Sequence, residues 1–180
     1  MPEPVLTIGH SNRTLDALLE LLRIHGVEHV ADVRRFPRSR RHPQFSSEPL
    51  SQALAAAGLG YTHHEALGGY REPLAHTPHL GLEEPMLRGY ADHMETPEFG
   101  AALDALLALA ATRRVAVMCA EADPAHCHRS LLADAIHAGG VPVEHILDAS
   151  TPRAHVPTSG VERLGHRLIY RSAVQRLPGL

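Results

Sequence analysis

Short apolar runs and amphipathic runs alternate along this chain, and that alternation leaves few folds open to it. "PVLTIGH" (residues 4–10) reads as a strand; Ser11 and Thr14 then signal a helix start, and the leucines of "LDALLELLRIHG" recur at helical spacing until Gly26. "VEHVADVR" reads as a second strand, "SSEPLSQALAAAG" as a capped helix ending at Gly58, and "GYTHHEA" as a third strand carrying imidazoles. From Leu67 to Leu87 the chain is rich in Gly, Pro and His without a period, which predicts a long connection of the functional or mobile kind. A short helix "RGYADHM", a strong amphipathic helix "TPEFGAALDALLALAATRR", a buried strand "VAVMCA", a helix "PAHCHRSLLADAIHAGG" and a last strand "VEHIL" follow. Such a series predicts a three-layer α/β/α fold with a mostly parallel sheet of about five strands, joined by right-handed crossovers. The tail after Asp148 is assigned no element.

A chain of 180 residues fits one domain, which at this size buries roughly 70% of its unfolded surface. We therefore read residues 1–180 as a single unit. No charged start leads into a long apolar run, and no run of about 18 apolar residues occurs, so a soluble cytoplasmic protein without membrane association is expected. The cytosol keeps thiols reduced, which makes two cysteines eight positions apart thiols or ligands rather than a disulfide framework. All seventeen basic residues are arginine and the formal charge is -3, which argues against a globally basic nucleic-acid coat but leaves room for a local basic patch. "GHSNRT" after the first strand lacks the glycine spacing of a dinucleotide fingerprint.

Parallel sheets bind ligands beyond the carboxyl ends of their strands. The strand ends predicted here carry His10, Asp32 with Arg34, His63 to Glu65, and Cys119 with Glu121, where a structural edge would carry turn residues. Cys127 falls in or near the first turn of the next helix, with Asp123 as the expected N-cap, Pro124 at the first position and Arg129 close by. Free N–H groups and positive charge there predict a Cys127 pKa below the ordinary thiol value. Cys119 has a competing reading as a small core residue. No cofactor is predicted; zinc on Cys119, Cys127 and one of His126 or His128 is the minor alternative, because the spacing lacks the usual short cysteine pair.

"DVRRFPRSRRHPQF" places five arginines in eight positions. Either this is a solvated arginine-biased loop, or its guanidinium forks meet phosphate while Phe36 or Phe45 stacks on a base. Arg71 and Arg88, flanking the aperiodic connection, are further anion candidates, whereas Tyr90 and Met94, four apart on a helix, read more readily as packing.

Taken together and in order, "TIGHSNRT", "DVRRFPRSRRHPQF", "YTHHEALGGYR", "RGYADHM" and "MCAEADPAHCHRSLLAD" resemble the family known as domain of unknown function 488, from about Thr7 to Ile146. The resemblance implies a small bacterial or archaeal cytoplasmic α/β protein and carries no established reaction. Within the motifs it directs attention to His10, Ser11, Asp32, Arg34, Pro37 and Ser39. Further along, it points to Phe45, Leu67, Gly68, Gly69 and Tyr90, and then to Cys119, Glu121, Cys127, His128 and Arg129. The candidate catalytic residues are thus Cys119, Cys127, His10, His128 and Glu121. The candidate substrate or anion-binding residues are Arg34, Arg38, Arg41, Arg71, Arg129, Ser11 and Tyr90. Cys119 and Arg129 lie ten apart, too far for the short cysteine-to-arginine loop of cysteine phosphatases. The first reading is an enzyme acting on a phosphate-bearing nucleotide or nucleic acid, the partner in either case. A non-catalytic binding or regulatory module is second and a metal-dependent hydrolase third. Oligomeric state is not legible.

Overall fold

A computed structural model describes residues 2–172. Strands β1 (Val5–Gly9), β2 (His29–Asp32), β3 (Gly60–His63), β4 (Val115–Cys119) and β5 (Val143–Ile146) form a parallel sheet in the order β3-β2-β4-β1-β5. A sixth strand, β6 (Arg153–Ala154), adds antiparallel to β5, and β7 (Val161–Leu164) and β8 (Arg167–Tyr170) make a separate hairpin. The tail after Asp148, which had no period to read, supplies all three of these short strands.

Side chains alternate across each central strand, and the alternation sorts the core into two layers. Leu6, Ile8, Val30, Ala116 and Met118 face helices α1 (Leu15–Ile24) and α2 (Ser47–Ala56), whose Leu18, Leu22, Leu50 and Leu54 are fully buried. Ala31, Val117 and Cys119 face the other way, toward α3 (Pro85–His93), α4 (Pro97–Ala110) and α5 (Arg129–Ala138). Cys119 thus points into the layer built by Tyr90, Phe99 and Leu131, while its neighbour Met118 points into the opposite one.

Local chemistry sets the helix ends. Thr14 accepts the Ala17 N–H at 3.1 Å and Thr96 accepts the Phe99 N–H at 3.2 Å, each an N-cap. Gly26 (φ +64°) and Gly58 (φ +78°) leave α1 and α2 through the left-handed region that L side chains avoid. Asp123 does cap, but what it caps is a 3-10 turn, Pro124–His126, rather than α5. The chain breaks at Cys127 and resumes as a helix only at Arg129, so Cys127 lies before α5 and not inside its first turn. After the third strand a 3-10 turn spans Glu65–Leu67, the connection is then irregular to Glu84, and α3 begins at Pro85, three residues before the expected "RGYADHM". Among the described residues no helix is long and apolar enough to cross a membrane.

Under the C-terminal segments lies a buried polar chain that no local motif announces. His155 Nε2 donates to Asp134 at 2.8 Å, which leaves its Nδ1 to accept from His145 Nε2 at 3.0 Å; His145 Nδ1 then accepts the Thr7 hydroxyl at 2.7 Å. Tyr170 also donates to Asp134, at 3.1 Å. Burial lowers the His145 pKa to about 4.

Candidate functional site

Three adjacent strands, β2, β4 and β1, deliver their carboxyl ends to one cleft of about 730 Å³. His10, Arg34 and Cys119 all line it, together with Ser11, Arg38, Arg41, Glu121, Cys127 and His128. Parallel pairing continues past the strand ends: the His10 N–H donates to Cys119 O at 3.0 Å and the Ser11 N–H to Ala120 O at 2.8 Å. The backbone turns sharply there, with Ser11 at φ 48° and Tyr70, on the cleft's rim, at φ 58°. Left-handed backbone at two non-glycine residues costs about 1–3 kcal/mol each and is concentrated at this site.

At the centre are the two sulfurs. Cys119 Sγ and Cys127 Sγ are 3.1 Å apart, and the side chains are 1% and 6% exposed. The two thiols contact each other, and Cys119 also donates to Glu121 O at 3.6 Å; their mutual contact lowers the Cys119 pKa and, with burial, raises that of Cys127 well above the ordinary thiol value. This reverses the expectation from sequence that Cys127 is the thiolate. The helix-terminal donor it relied on does exist, since Arg129 N–H reaches Cys127 Sγ at 3.5 Å, but the neighbouring sulfur outweighs it.

Arg129 lies beneath the pair. Its side chain is 1% exposed, and Nη2 donates to the carbonyls of Glu121 and Ala122 at 3.0 Å each. Its Nε and Nη1 have no hydrogen-bond partner, and among the described residues no carboxylate forms an ion pair with it. A buried cation without a counter-charge is costly, and its positive field favours a thiolate on Cys119. It therefore supports the site from below rather than lining the cleft as an anion clamp. The carbonyls it holds belong to the loop that folds back on β1, where a Cβ on Gly9 would stand 1.8 Å from Glu121 O. Gly9→Ala should accordingly displace this loop and lower stability by about 1–3 kcal/mol, readable in a thermal melt; an unchanged melt would mean the loop yields freely.

Two imidazoles line the same cleft as the cysteines, and both are held neutral. His128 Nε2 donates to Val33 O at 3.0 Å, so Nδ1 carries the lone pair, 3.6 Å from Cys127 Sγ. Burial lowers its pKa to about 4. Gly69 backs this ring so closely that a Cβ would sit 2.8 Å from Nδ1. His10 Nδ1 donates to Ser11 O at 2.9 Å, the ring stacks on Phe45 at 4.4 Å, and burial again lowers the pKa to about 4.

Arg34 is more committed than its place on the strand end suggests. Nε and Nη2 fork onto Asp32 at 2.9 and 2.6 Å, while Nη1 donates to Phe45 O at 2.7 Å and reaches His10 Nε2 at 3.4 Å. Its guanidinium binds the protein's own carboxylate. Arg38 and Arg41, in contrast, are exposed on the cleft rim and form no ion pair among the described residues. Beside them Arg35 donates to Tyr70 O at 2.6 Å and lies 5.3 Å over the Phe36 ring; Phe36 and Tyr70 are 61% and 67% exposed, with ring centres 6.4 Å apart.

Other candidates stand back from the cleft. Tyr90 is fully buried, donates to Leu67 O at 2.8 Å and packs on the His128 ring. Arg71 donates to the Gly68 and Glu65 carbonyls. His63 donates to Arg34 O at 2.7 Å from the edge strand. Among the described residues no group of three or more His, Cys, Asp or Glu side chains converges as metal ligands would. The cleft also includes Glu84, Met86 and Leu87, which sequence reasoning missed; the aperiodic connection marked the region, but nothing in it says that its end folds over the sheet edge.

A six-stranded, mostly parallel α/β/α protein with a cysteine pair, two neutral histidines and arginines at its carboxyl edge is the class these features define. The family described as Domain of unknown function DUF488 matches residues 14–136, more than half of the sequence, and the chain belongs to that family. No curated protein and no solved structure matches it.

Proposed function

We propose that this protein is an enzyme that uses the Cys119 sulfur on a phosphate-bearing nucleotide or nucleic acid. The observation that carries the reading is one cleft holding both a thiol favoured as thiolate and a rim of arginines beside two exposed aromatic rings. Arg35, Arg38 and Arg41 suit phosphate oxygens; Phe36 and Tyr70 suit the face of a base. Cys119 is the nucleophile, and Cys127 is the proton donor beside it. His128, neutral at pH 7 with its Nδ1 lone pair toward Cys127, serves as proton acceptor and not as an acid, while His10, whose Nε2 faces Arg34, shapes the cleft. Arg34 and Arg129 act as positioning residues, one fixing His10 and Phe45, the other the Glu121 loop.

Binding of a labelled single-stranded oligonucleotide, titrated against salt, tests the reading. Affinity should fall steeply with salt, and Arg38→Glu with Arg41→Glu should flatten the slope by about 0.7 for each phosphate contact removed. Cys119→Ser should keep binding and lose turnover of the bound nucleotide or oligonucleotide. Absence of salt-dependent binding to any nucleotide or nucleic acid would sink the substrate class. Binding with Cys119→Ser turnover equal to the parent would sink the role of the sulfur. The fully engaged Arg34 guanidinium favours a second reading, a binding module whose cysteines only pack, and salt-dependent binding with no turnover by the parent chain would select it.

A further inference from the structure

We propose that Cys119 and Cys127 are a redox pair that reduces a hydroperoxide, Cys119 as the attacking thiol and Cys127 as the resolving one. The geometry is the first argument. The sulfurs are already 3.1 Å apart, and a disulfide needs about 2.05 Å, so closure requires an approach of roughly 1 Å. The movement falls on the Cys127 side chain, because its backbone, extended (φ -144°, ψ 150°) between the 3-10 turn and α5, is held by its N–H on Pro124 O at 3.2 Å and by the Ser130 N–H on its carbonyl at 3.1 Å. Both cysteines line the cleft, the approach a molecule as small as hydrogen peroxide would use.

The surrounding groups divide the labour between the sulfurs. Arg129, buried and with two nitrogens unpartnered, supplies positive charge to both sulfurs, and the contact with Cys127 is what favours the thiolate on Cys119. His128 Nδ1, a free lone pair 3.6 Å from Cys127 Sγ, can take that thiol's proton when it becomes the nucleophile. In the first step the Cys119 thiolate attacks one peroxide oxygen: an S–O bond forms, the O–O bond breaks, sulfur loses two electrons and the second oxygen leaves as alkoxide or hydroxide, which solvent protonates. In the second, Cys127 gives its proton to His128 and attacks the Cys119 sulfur; the S–S bond forms, the S–O bond breaks, and the departing hydroxide takes the proton from His128 as water. An external dithiol returns the pair to two thiols. None of this depends on the nucleotide or nucleic-acid reading, because it is read on the sulfurs themselves; it does imply that oxidation removes Cys119 from any other chemistry in the cleft.

The test uses the full chain, reduced, freed of reductant and treated with equimolar hydrogen peroxide at neutral pH. Intact mass should fall by two hydrogen atoms, both cysteines should become refractory to iodoacetamide, and dithiothreitol should restore them. In Cys127→Ser the reaction should stop at a sulfenic acid on Cys119 that dimedone traps, whereas Cys119→Ser should yield no trapped product. If both thiols of the parent chain still alkylate after peroxide, or if the only disulfide joins two chains, the pair is not a redox pair. A dimedone adduct on Cys127 in Cys119→Ser, with Cys119 inert in Cys127→Ser, would overturn the assignment of roles. The parent-chain measurement needs no variant, so a misfolded substitution leaves the proposal open to refutation.

Discussion

Asp32→Ala should cost about 3–5 kcal/mol of stability, the range for removing one partner of a buried ion pair. Asp32 is fully buried and accepts from the Arg34 side chain at 2.9 and 2.6 Å, from the Arg34 N–H at 3.1 Å and from the Tyr61 hydroxyl at 2.8 Å. Without it the guanidinium, 7% exposed, keeps only Phe45 O and His10 Nε2, neither of which carries charge to oppose its own. Urea denaturation of the parent, Asp32→Ala and the double variant Asp32→Ala with Arg34→Met checks this. The double variant should recover part of the loss, since the stranded charge is gone. A single-variant loss below about 1 kcal/mol would mean that water reaches Arg34 and the pair is not desolvated.

Acid should destabilise the protein well above the pH at which its carboxylates titrate. His10, His128 and His145 each have a folded-state pKa near 4, lowered from 6.5 by burial. Between those values the unfolded chain binds more protons than the native one, so stability rises with pH across that window. The contribution is complete above pH 6.5 and is lost as pH falls toward 4. For His128 alone the loss is on the order of 3 kcal/mol by pH 4. Thermal or urea unfolding at pH 7.5, 5.5 and 4.5 measures it, and His128→Gln should flatten the profile. A midpoint that does not move between pH 7.5 and 4.5 would contradict neutral burial of these rings.

What could be read in advance was whatever rests on periodicity. The five parallel strands, the Thr14 helix start and the gathering of His10, Arg34 and Cys119 at one edge follow from alternation, from capping preference and from the rule that parallel sheets function at their carboxyl ends. What could not be read depends on distances between residues that the sequence separates. Asp32 and Arg34 were both visible at the end of β2, yet that they satisfy each other is a matter of rotamers in a buried corner. Cys127 looked like a thiolate because its sequence neighbours are cationic; its nearest group in space is a second sulfur eight positions away. Asp134, His155 and Thr7 form one hydrogen-bonded chain through His145 with no spacing that would announce it. The short strands after Asp148 have two to four residues each, too few for a period to register.

The strand order also dictates when this protein can fold. β1 comes first off the ribosome, but both of its partners, β4 and β5, lie beyond residue 114, so a nascent chain carries it with neither edge paired until the last third is made. Until then only β2 and β3 can join, a two-stranded fragment too small to persist alone. When β4 slots between β1 and β2 it joins the two halves and brings Cys119 to the cleft in one event, and β5 and β6 then extend the sheet beyond β1. The cleft edge of the sheet is therefore assembled late, by non-local pairings, so a truncation before β4 should abolish the central sheet, whereas loss of β5 and β6 should only trim its edge.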